Sequence, residues 1–225
     1  MSYAREHLNT PKGMNIYELR ETALVLIVGG SETTATLLSA ITYHLLKNPT
    51  VYQKLVTEIR QAFQSDDQIT MTRASRLKYL LAVLDEGLRI FPPAPSGQQR
   101  FSPRQGHTIA GRFVPGRTIV AVHQWSAYHS PKNFLDPDKF VPERWLGDPK
   151  YENDKRGVVH PFSMGPRNCI GMNLAYTEMR VIMARVLWNF DLELCEESRD
   201  WAERLKIYQL WAKEPLMVKI TPIRR

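Results

Sequence analysis

A cysteine at the end of a glycine-bearing loop has the surroundings best suited to chemistry. Five residues of this loop follow the spacing F-x-x-G-x-R-x-C-x-G: Phe162, Gly165, Arg167, Cys169 and Gly171. The N–H groups of the loop and of the helix predicted after it favour negative charge, so the thiol of Cys169 would be held as a thiolate. The glycines let the backbone approach something flat and bulky, and Arg167 could pair with a carboxylate. A lone cysteine is often only a small buried hydrophobic residue, but the combined spacing argues against that alternative.

An acid–alcohol pair lies inside a long apolar segment. Gly29 and Gly30 precede Ser31, and Glu32 and Thr33 follow directly. A carboxylate beside a hydroxyl can bind water and relay protons, so Glu32 and Thr33 are candidate catalytic residues. The residues alone do not decide between Thr33 and the next threonine. The alternative is that these polar residues only weaken the helix and permit a local kink.

A third group combines one carboxylate with arginines. Glu86 and Arg89 lie three residues apart on a predicted helix, a spacing at which side chains pair. Such a pair on the surface would contribute little. Arg144, in the sequence Pro-Glu-Arg-Trp, is a further arginine that is available to this pair.

Hydrophobic periodicity predicts a mainly α protein with a small β region. A helix from about Asn15 to Lys47 is expected to be buried nearly all round, with further helices over about 50–63, 75–91 and 169–188. Residues 107–122 predict a β-hairpin or meander, and residues 192–220 predict short strands. Residues 131–151 are rich in proline, aspartate and asparagine, which predicts an ordered irregular loop.

The composition excludes several classes of protein. The 225 residues are 43% hydrophobic and 24% charged, which is typical of a globular chain rather than a disordered one. Two cysteines build neither a disulfide scaffold nor a zinc finger, and the apolar run 23–28 is too short to span a bilayer. The net charge of +7 favours acidic partners. Because the basic residues are interspersed, a solvated basic surface or a docking face for a protein is expected rather than nucleic-acid binding.

The cysteine loop resembles, at every position of its pattern, the haem-binding signature of the cytochrome P-450 family of haem-thiolate monooxygenases. The other motifs follow in the family's order: residues 29–34 resemble its oxygen-activation segment, 86–89 its E-x-x-R motif, and 142–145 its P-E-R-F box, with Trp145 replacing Phe. The resemblance implies the C-terminal half of the family's fold, with a long central helix, E-x-x-R helix, meander, cysteine loop and final helix. Residues 1–225 would be the C-terminal portion of the haem domain, with the N-terminal half and the membrane anchor outside them.

The resemblance also implies a role for each candidate residue. Cys169 would be the axial ligand of haem b iron, within a loop shaped by Phe162, Gly165 and Gly171. Glu32 and Thr33 would supply protons to the distal side of the haem, and the family pattern favours Thr33 over Thr34. The propionates of the haem would be contacted by Arg100 and Arg167. A structural network would be formed by Glu86, Arg89 and Arg144. Arg100 could instead be an ordinary surface arginine. Three histidines compete as iron ligands without a comparable loop: His123, His129 and His160.

By the same resemblance, the protein would insert one oxygen atom from O2 into a small hydrophobic organic substrate. The sequence is most similar to fungal members of the family that oxidise secondary metabolites, so the substrate would be of that kind. Its remaining pocket contacts would be Val28 and residues 93–96. Electrons would come from NADPH through NADPH–cytochrome P-450 reductase. This reductase would dock on a basic face that has four candidate residues: Lys155, Arg156, Arg180 and Arg185. The expected location is the cytosolic face of the endoplasmic reticulum membrane, although this chain alone, without a transmembrane segment, could be cytoplasmic.

Two further hypotheses about the function remain open. An incomplete haem domain could be a pseudoenzyme that holds neither haem nor substrate. Alternatively, a long helix without its packing partners would expose apolar surface, and the chain could act as a helical interaction module.

Overall fold

Helices make up most of the structure, a computed structural model that describes residues 6–8, 10 and 13–223. The helices used below are α1 (Ile16–Lys47), α2 (Pro49–Ala62), α3 (Met71–Ala74), α4 (Lys78–Ile90), α5 (Gln124–Tyr128), α6 (Met172–Asn189) and α7 (Trp201–Arg204). The predicted fold class, mainly α with a small β region, is confirmed. The last long helix, α6, begins three residues after Cys169 rather than at it.

The strands form four antiparallel pairs. They are β1 (Arg100–Phe101) with β4 (Ile119–Val120), β2 (His107–Ile109) with β3 (Arg112–Val114), β5 (Phe190–Leu194) with β8 (Val218–Pro222), and β6 (Lys206–Ile207) with β7 (Trp211–Ala212). The predicted hairpin is present as β2–β3, whose turn residues Ala110 and Gly111 both have positive φ, 49° and 78°. β4 instead pairs back to β1, which brings Arg100 to this small sheet.

Local hydrogen bonds explain how α1 begins and how it continues through its polar segment. The Asn15 side chain accepts from the N–H of Glu18, whose carboxylate accepts from the Asn15 N–H at 2.8 Å. Further along, the Ser31 and Thr33 hydroxyls donate to carbonyls one turn earlier, at 2.8 and 2.7 Å. These hydroxyls are therefore satisfied within the helix, and no break in the α-helix accompanies the predicted weak point.

The prediction that α1 is buried nearly all round is wrong for its first half. Leu37, Ile41 and Leu45 are at most 1% exposed because α2, α4 and α6 pack against that half, whereas Val25 and Ile27 are 67% and 68% exposed. Periodicity reports that a face is apolar, and not what covers it. The estimate based on the short run 23–28 also needs correction, since α1 as a whole is long and apolar enough to cross a membrane by length and composition. A core helix can satisfy the same criterion.

The core lies between the second half of α1 and helices α2, α4 and α6. On α4, Leu80, Leu84 and Leu88 are buried as predicted. On α6 the predicted inward face is only partly correct: Met179 and Met183 are buried, but Leu174 and Ile182 are 61% and 42% exposed. Leu174 lies one turn after the cysteine loop, on a face of α6 that the described residues leave open.

Gly87 offers a test of how closely α4 approaches α1. A Cβ at Gly87 would lie 2.4 Å from Cγ1 of Ile41, whereas a Cβ at Gly29 would meet nothing within 4 Å. Gly87→Ala should therefore destabilise the protein by about 1–3 kcal/mol through overpacking. Gly29→Ala, the matched control, should stabilise it by about 0.5–1 kcal/mol because alanine loses less entropy in a helix. Guanidinium unfolding of both variants measures the difference, and equal effects would contradict the close packing.

Candidate functional site

The carboxylate of Glu86 is the centre of a fully buried ion cluster. One oxygen, Oε1, accepts from Nη2 of Arg89 at 2.8 Å, from the N–H of Val141 at 2.9 Å and from Nε of Arg144 at 3.2 Å. The other, Oε2, accepts from Nε of Arg89 and from the indole N–H of Trp145, both at 2.9 Å. The structure thus brings together the three network residues that the sequence singled out, and their side chains are 0% exposed.

The two arginines extend this cluster to the last residue of α5 and into the irregular loop that follows it. Nη1 of Arg89 donates to the carbonyl oxygens of Tyr128 and Pro137, at 3.0 and 2.7 Å. Nη1 of Arg144 donates to the carbonyl oxygen of Leu135 at 3.1 Å. Because guanidinium groups keep their charge and have several donors, each arginine fixes several backbone oxygens at once.

Asp154 is a fourth ionic member of the cluster that sequence reasoning missed. Its carboxylate pairs closely with Nη1 of Arg144 and accepts from the N–H of Leu135 at 2.7 Å. Its neighbours in the sequence, Asn-Asp-Lys, are typical of a surface turn. Only its burial in the folded chain distinguishes it from an ordinary surface aspartate. Arg156, predicted on the basic docking face, is also drawn in, since its guanidinium donates to the carbonyl oxygen of Arg144 at 2.6 Å.

The cysteine loop is held in a tight turn that presents its thiol. The N–H of Cys169 donates to the carbonyl oxygen of Phe162 at 2.8 Å, which closes the loop. Gly165 has a φ of 77°, where glycine alone is unstrained, and a Cβ at Gly171 would lie 3.8 Å from the sulfur of Cys169. Cys169 is exposed, and the side chain of the next residue, Ile170, is 96% exposed.

Tyr176 joins the cysteine loop to α4. Its ring packs against Phe162 with centroids 5.4 Å apart, and its hydroxyl donates to Asp85 at 2.7 Å. Burial raises the pKa of Asp85, while this hydrogen bond partly opposes the shift. Burial also raises the pKa of Tyr176, which stays neutral and donates. Sequence reasoning missed this contact, because Asp85 lies beside Glu86 without belonging to any motif.

A cavity of about 380 Å³ is lined by residues of the β1–β4 pair and of the cysteine loop. Its lining includes Arg100, Val122 and Gln124, together with Ser163 and Met164 of the loop. The guanidinium of Arg100 donates only to the neighbouring Gln99 carbonyl within the described residues, and Oε1 of Gln124 is buried with no partner there. The cavity therefore offers the cation of Arg100 beside apolar side chains.

None of the three histidines lies in a loop like the one around Cys169, although His160 lines the same cavity. Nδ1 of His129 is 3.0 Å from the carbonyl oxygen of Trp125, and its ring stacks on that indole at 3.8 Å. Burial lowers the pKa of His129, so the ring is neutral. The backbone N–H of His160 donates to the hydroxyl of Tyr128, and burial raises the pKa of this tyrosine to about 12. His123 is exposed at the start of α5.

Glu32 and Thr33 occupy the stretch of α1 where the helix emerges from the core. Thr33 is half-buried with its hydroxyl directed to the Gly29 carbonyl, while Thr34 is only 9% exposed. Among the described residues, the hydrogen bonds of Glu32 lead to the tail of the chain and not to the cysteine loop. Its Oε2 accepts from Nζ of Lys213 at 2.7 Å.

A mainly α fold in which one buried carboxylate joins the E-x-x-R helix to the meander before an exposed cysteine loop defines a P450-type haem protein. The chain belongs to the cytochrome P450 family, which matches residues 2–220. It is 52% identical over 99% of its length to cytochrome P450 monooxygenase astA of Talaromyces wortmannii, and 50% identical over 100% to cytochrome P450 monooxygenase lcsI of Purpureocillium lilacinum. It spans 45% and 43% of those two relatives, so less than half of each.

The residues of this site fit the haem that the family implies. An exposed thiol suits the iron, exposed apolar side chains such as Met164 and Ile170 suit the macrocycle, and Arg100 and the exposed Arg167 suit carboxylates. Arg100 lines the same cavity as Met164 of the cysteine loop. Arg100 is also exposed, so its role as a propionate contact stays a prediction.

Asp154→Asn tests the ionic balance of the cluster. The substitution keeps the shape of the side chain and leaves the buried cluster with one uncompensated positive charge, so we expect a loss of about 3–5 kcal/mol of stability. Glu193→Gln is the matched control, because its partner Lys219 is 68% exposed and such pairs contribute about 0–1 kcal/mol. Urea unfolding measures both, and a loss at Asp154 no larger than the control's would contradict the analysis.

Proposed function

We propose that this protein holds a haem b through Cys169 and acts as a monooxygenase. The observation that carries the proposal is the exposed thiol of Cys169 at the end of a closed loop, next to a cavity that contains Arg100. The names of the relatives support the same reaction class. The overall reaction would be RH + O2 + NADPH + H⁺ → ROH + H2O + NADP⁺, in which the substrate gains one oxygen atom and the other leaves as water.

Different residues of the chain would contact different parts of the cofactor. Cys169 would bind the iron as a thiolate, and Gly165 and Gly171 would let the loop approach the flat face of the ring. Arg100 and Arg167 would pair with the propionates. Phe162 would stay beneath the loop, against Tyr176, and keep it in place. When bound, the haem would supply the activation of dioxygen by two electrons.

Glu32 and Thr33 would supply protons on the opposite side of the haem. The carboxylate of Glu32 is half-exposed and can exchange protons with water. The Thr33 hydroxyl already donates to Gly29, so its lone pairs remain available to accept from a water molecule. Each proton used in the reaction would pass along such short hydrogen-bonded steps.

The substrate would be a small hydrophobic organic molecule of the kind used in fungal secondary metabolism. Val28, 42% exposed on α1, and the half-buried turn around residues 93–96 are apolar surfaces that suit it.

Electrons would come from NADPH through a flavin reductase at the cytosolic face of the endoplasmic reticulum membrane. Exposed Lys155 offers it an unpaired cation within the described residues, whereas Arg185 lies 3.7 Å from Asp66. The salt dependence of reductase-supported turnover tests this docking face.

One observation favours a second candidate function, that of a helical interaction module. Leu24, Val25, Leu26 and Ile27 are all more than half exposed on consecutive positions of α1, which is unusual for a soluble surface. A pseudoenzyme could use this surface for a partner without binding haem. Stoichiometric uptake of haem decides between this candidate and the monooxygenase.

The carbon monoxide difference spectrum of the reduced protein tests the proposed function. With haem supplied, the wild-type protein should show the strongly red-shifted Soret band of a thiolate complex. Cys169→Ala should abolish this band, because the ligand is removed. Cys195→Ala, which removes the other free cysteine, should leave it unchanged. A wild-type protein that takes up no haem, or a Cys169→Ala variant that keeps the band, would overturn the proposal.

A further inference from the structure

Lys213 connects the tail of the chain to the acid–alcohol segment of α1. Its ammonium donates to Oε2 of Glu32 at 2.7 Å and to the hydroxyl of Thr36 at 2.6 Å. The Thr36 hydroxyl in turn donates to the backbone oxygen of Glu32 at 2.6 Å. Residues separated by 181 positions in the sequence are thus joined through both the side chain and the backbone of Glu32.

The backbone around Lys213 is fixed on both sides. Two residues earlier, Trp211 stacks on Phe91 at 4.0 Å, and its indole N–H donates to the carbonyl oxygen of Pro92 at 2.8 Å. One residue later, the carbonyl oxygen of Glu214 accepts from the indole N–H of Trp201 at 2.8 Å. Lys213 is therefore presented from a rigid support, and less side-chain freedom is lost when its ammonium pairs.

The burial of this contact sets it apart from an ordinary surface ion pair. The side chain of Lys213 is 20% exposed and Thr36 is 3% exposed, whereas the exposed pair Lys219–Glu193 has side chains 68% and 73% exposed. Partly buried charges are screened less by water and salt. The other oxygen of Glu32, Oε1, accepts no hydrogen bond from the described residues, so it is free to contact water.

We infer that Lys213 is a positioning residue that holds Glu32 with one carboxylate oxygen anchored and the other open for proton exchange. The inference rests on the proposed monooxygenase function, because only that function gives Glu32 a proton to transfer. Lys213 itself contacts neither substrate nor cofactor in this account. It acts by fixing the direction of Glu32, and an arginine of similar reach should partly replace it.

A double-mutant cycle tests the contact without using activity. Glu32→Gln, Lys213→Met and the double variant are compared with the wild-type protein in guanidinium unfolding. Lys213→Met changes the unfolding equilibrium constant by some factor in the wild-type protein. We expect this factor to be at least about threefold smaller in the Glu32→Gln background, since the effects of residues in contact are not additive. Lys219→Met, the control, should show no such dependence on Glu32. Additive effects of Glu32 and Lys213 would overturn the inference.

The functional arm uses the haem-loaded protein with NADPH, a flavin reductase and dioxygen, and needs no known substrate. Oxygen is reduced either to peroxide (O2 + 2 e⁻ + 2 H⁺ → H2O2) or to water (O2 + 4 e⁻ + 4 H⁺ → 2 H2O). Because a misplaced relay slows proton supply, Lys213→Met should reduce the rate of water formation about tenfold and raise the peroxide fraction. Lys213→Arg should restore much of that rate, and Lys219→Met should match the wild type.

The possible failures are distinguishable. A wild-type protein without the thiolate band would overturn the proposed function and with it any role of Lys213 in proton supply. A protein that has the band, and whose Lys213→Met variant keeps the wild-type rate of water formation, would overturn this inference alone. If Lys213→Arg restores none of the rate of water formation that Lys213→Met loses, a positioning role based on charge would also be contradicted.

Discussion

The burial of one carboxylate, that of Glu86, is the constraint on which the structure around the cysteine loop depends. A buried charge is tolerated only when it is paired and hydrogen-bonded. Glu86 and Asp154 supply two negative charges, and Arg89 and Arg144 supply two positive ones, so the cluster is neutral as a whole. Its arginines also satisfy carbonyl oxygens of a segment that has little regular structure. A strand or helix satisfies its carbonyl oxygens with its own regular backbone hydrogen bonds. The irregular loop is instead ordered by hydrogen bonds from charged side chains.

Three consecutive residues of α4 extend this constraint in three directions. Asp85 accepts from Tyr176 on α6, Glu86 binds the arginines and the backbone of the irregular loop, and Gly87 lets α1 approach within van der Waals contact. Successive helix positions differ by about 100° around the axis, so three neighbours face three different elements. One turn of α4 thus sets the mutual placement of α1, α6 and the loop that precedes Cys169. This placement is what the proposed haem site requires, because its two sides come from α1 and from the cysteine loop.

The sequence was sufficient for features that depend on local spacing and insufficient for those that depend on long-range burial. The cysteine loop, the Glu86–Arg89 pair and the helical periodicity are local, and the structure places them as helix and loop in the predicted order. Asp154 and Lys213 have ordinary neighbours in the sequence, and only the folded chain brings them to Arg144 and Glu32. The exposed first half of α1 was mispredicted for a related reason, since an apolar face predicts burial without specifying the partner that covers it.

The cysteine loop and the proposed proton relay are held by different physical means. On the cysteine side, the charges of the Glu86 cluster are completely buried, and salt has little access to them. The Lys213–Glu32 pair, by contrast, lies where α1 leaves the core, with Glu32 53% exposed and Thr36 3% exposed. Water can therefore reach Glu32, while its anchor remains partly shielded. This division suits the proposed chemistry, because an iron ligand must stay fixed, whereas a group that relays protons must exchange them with solvent.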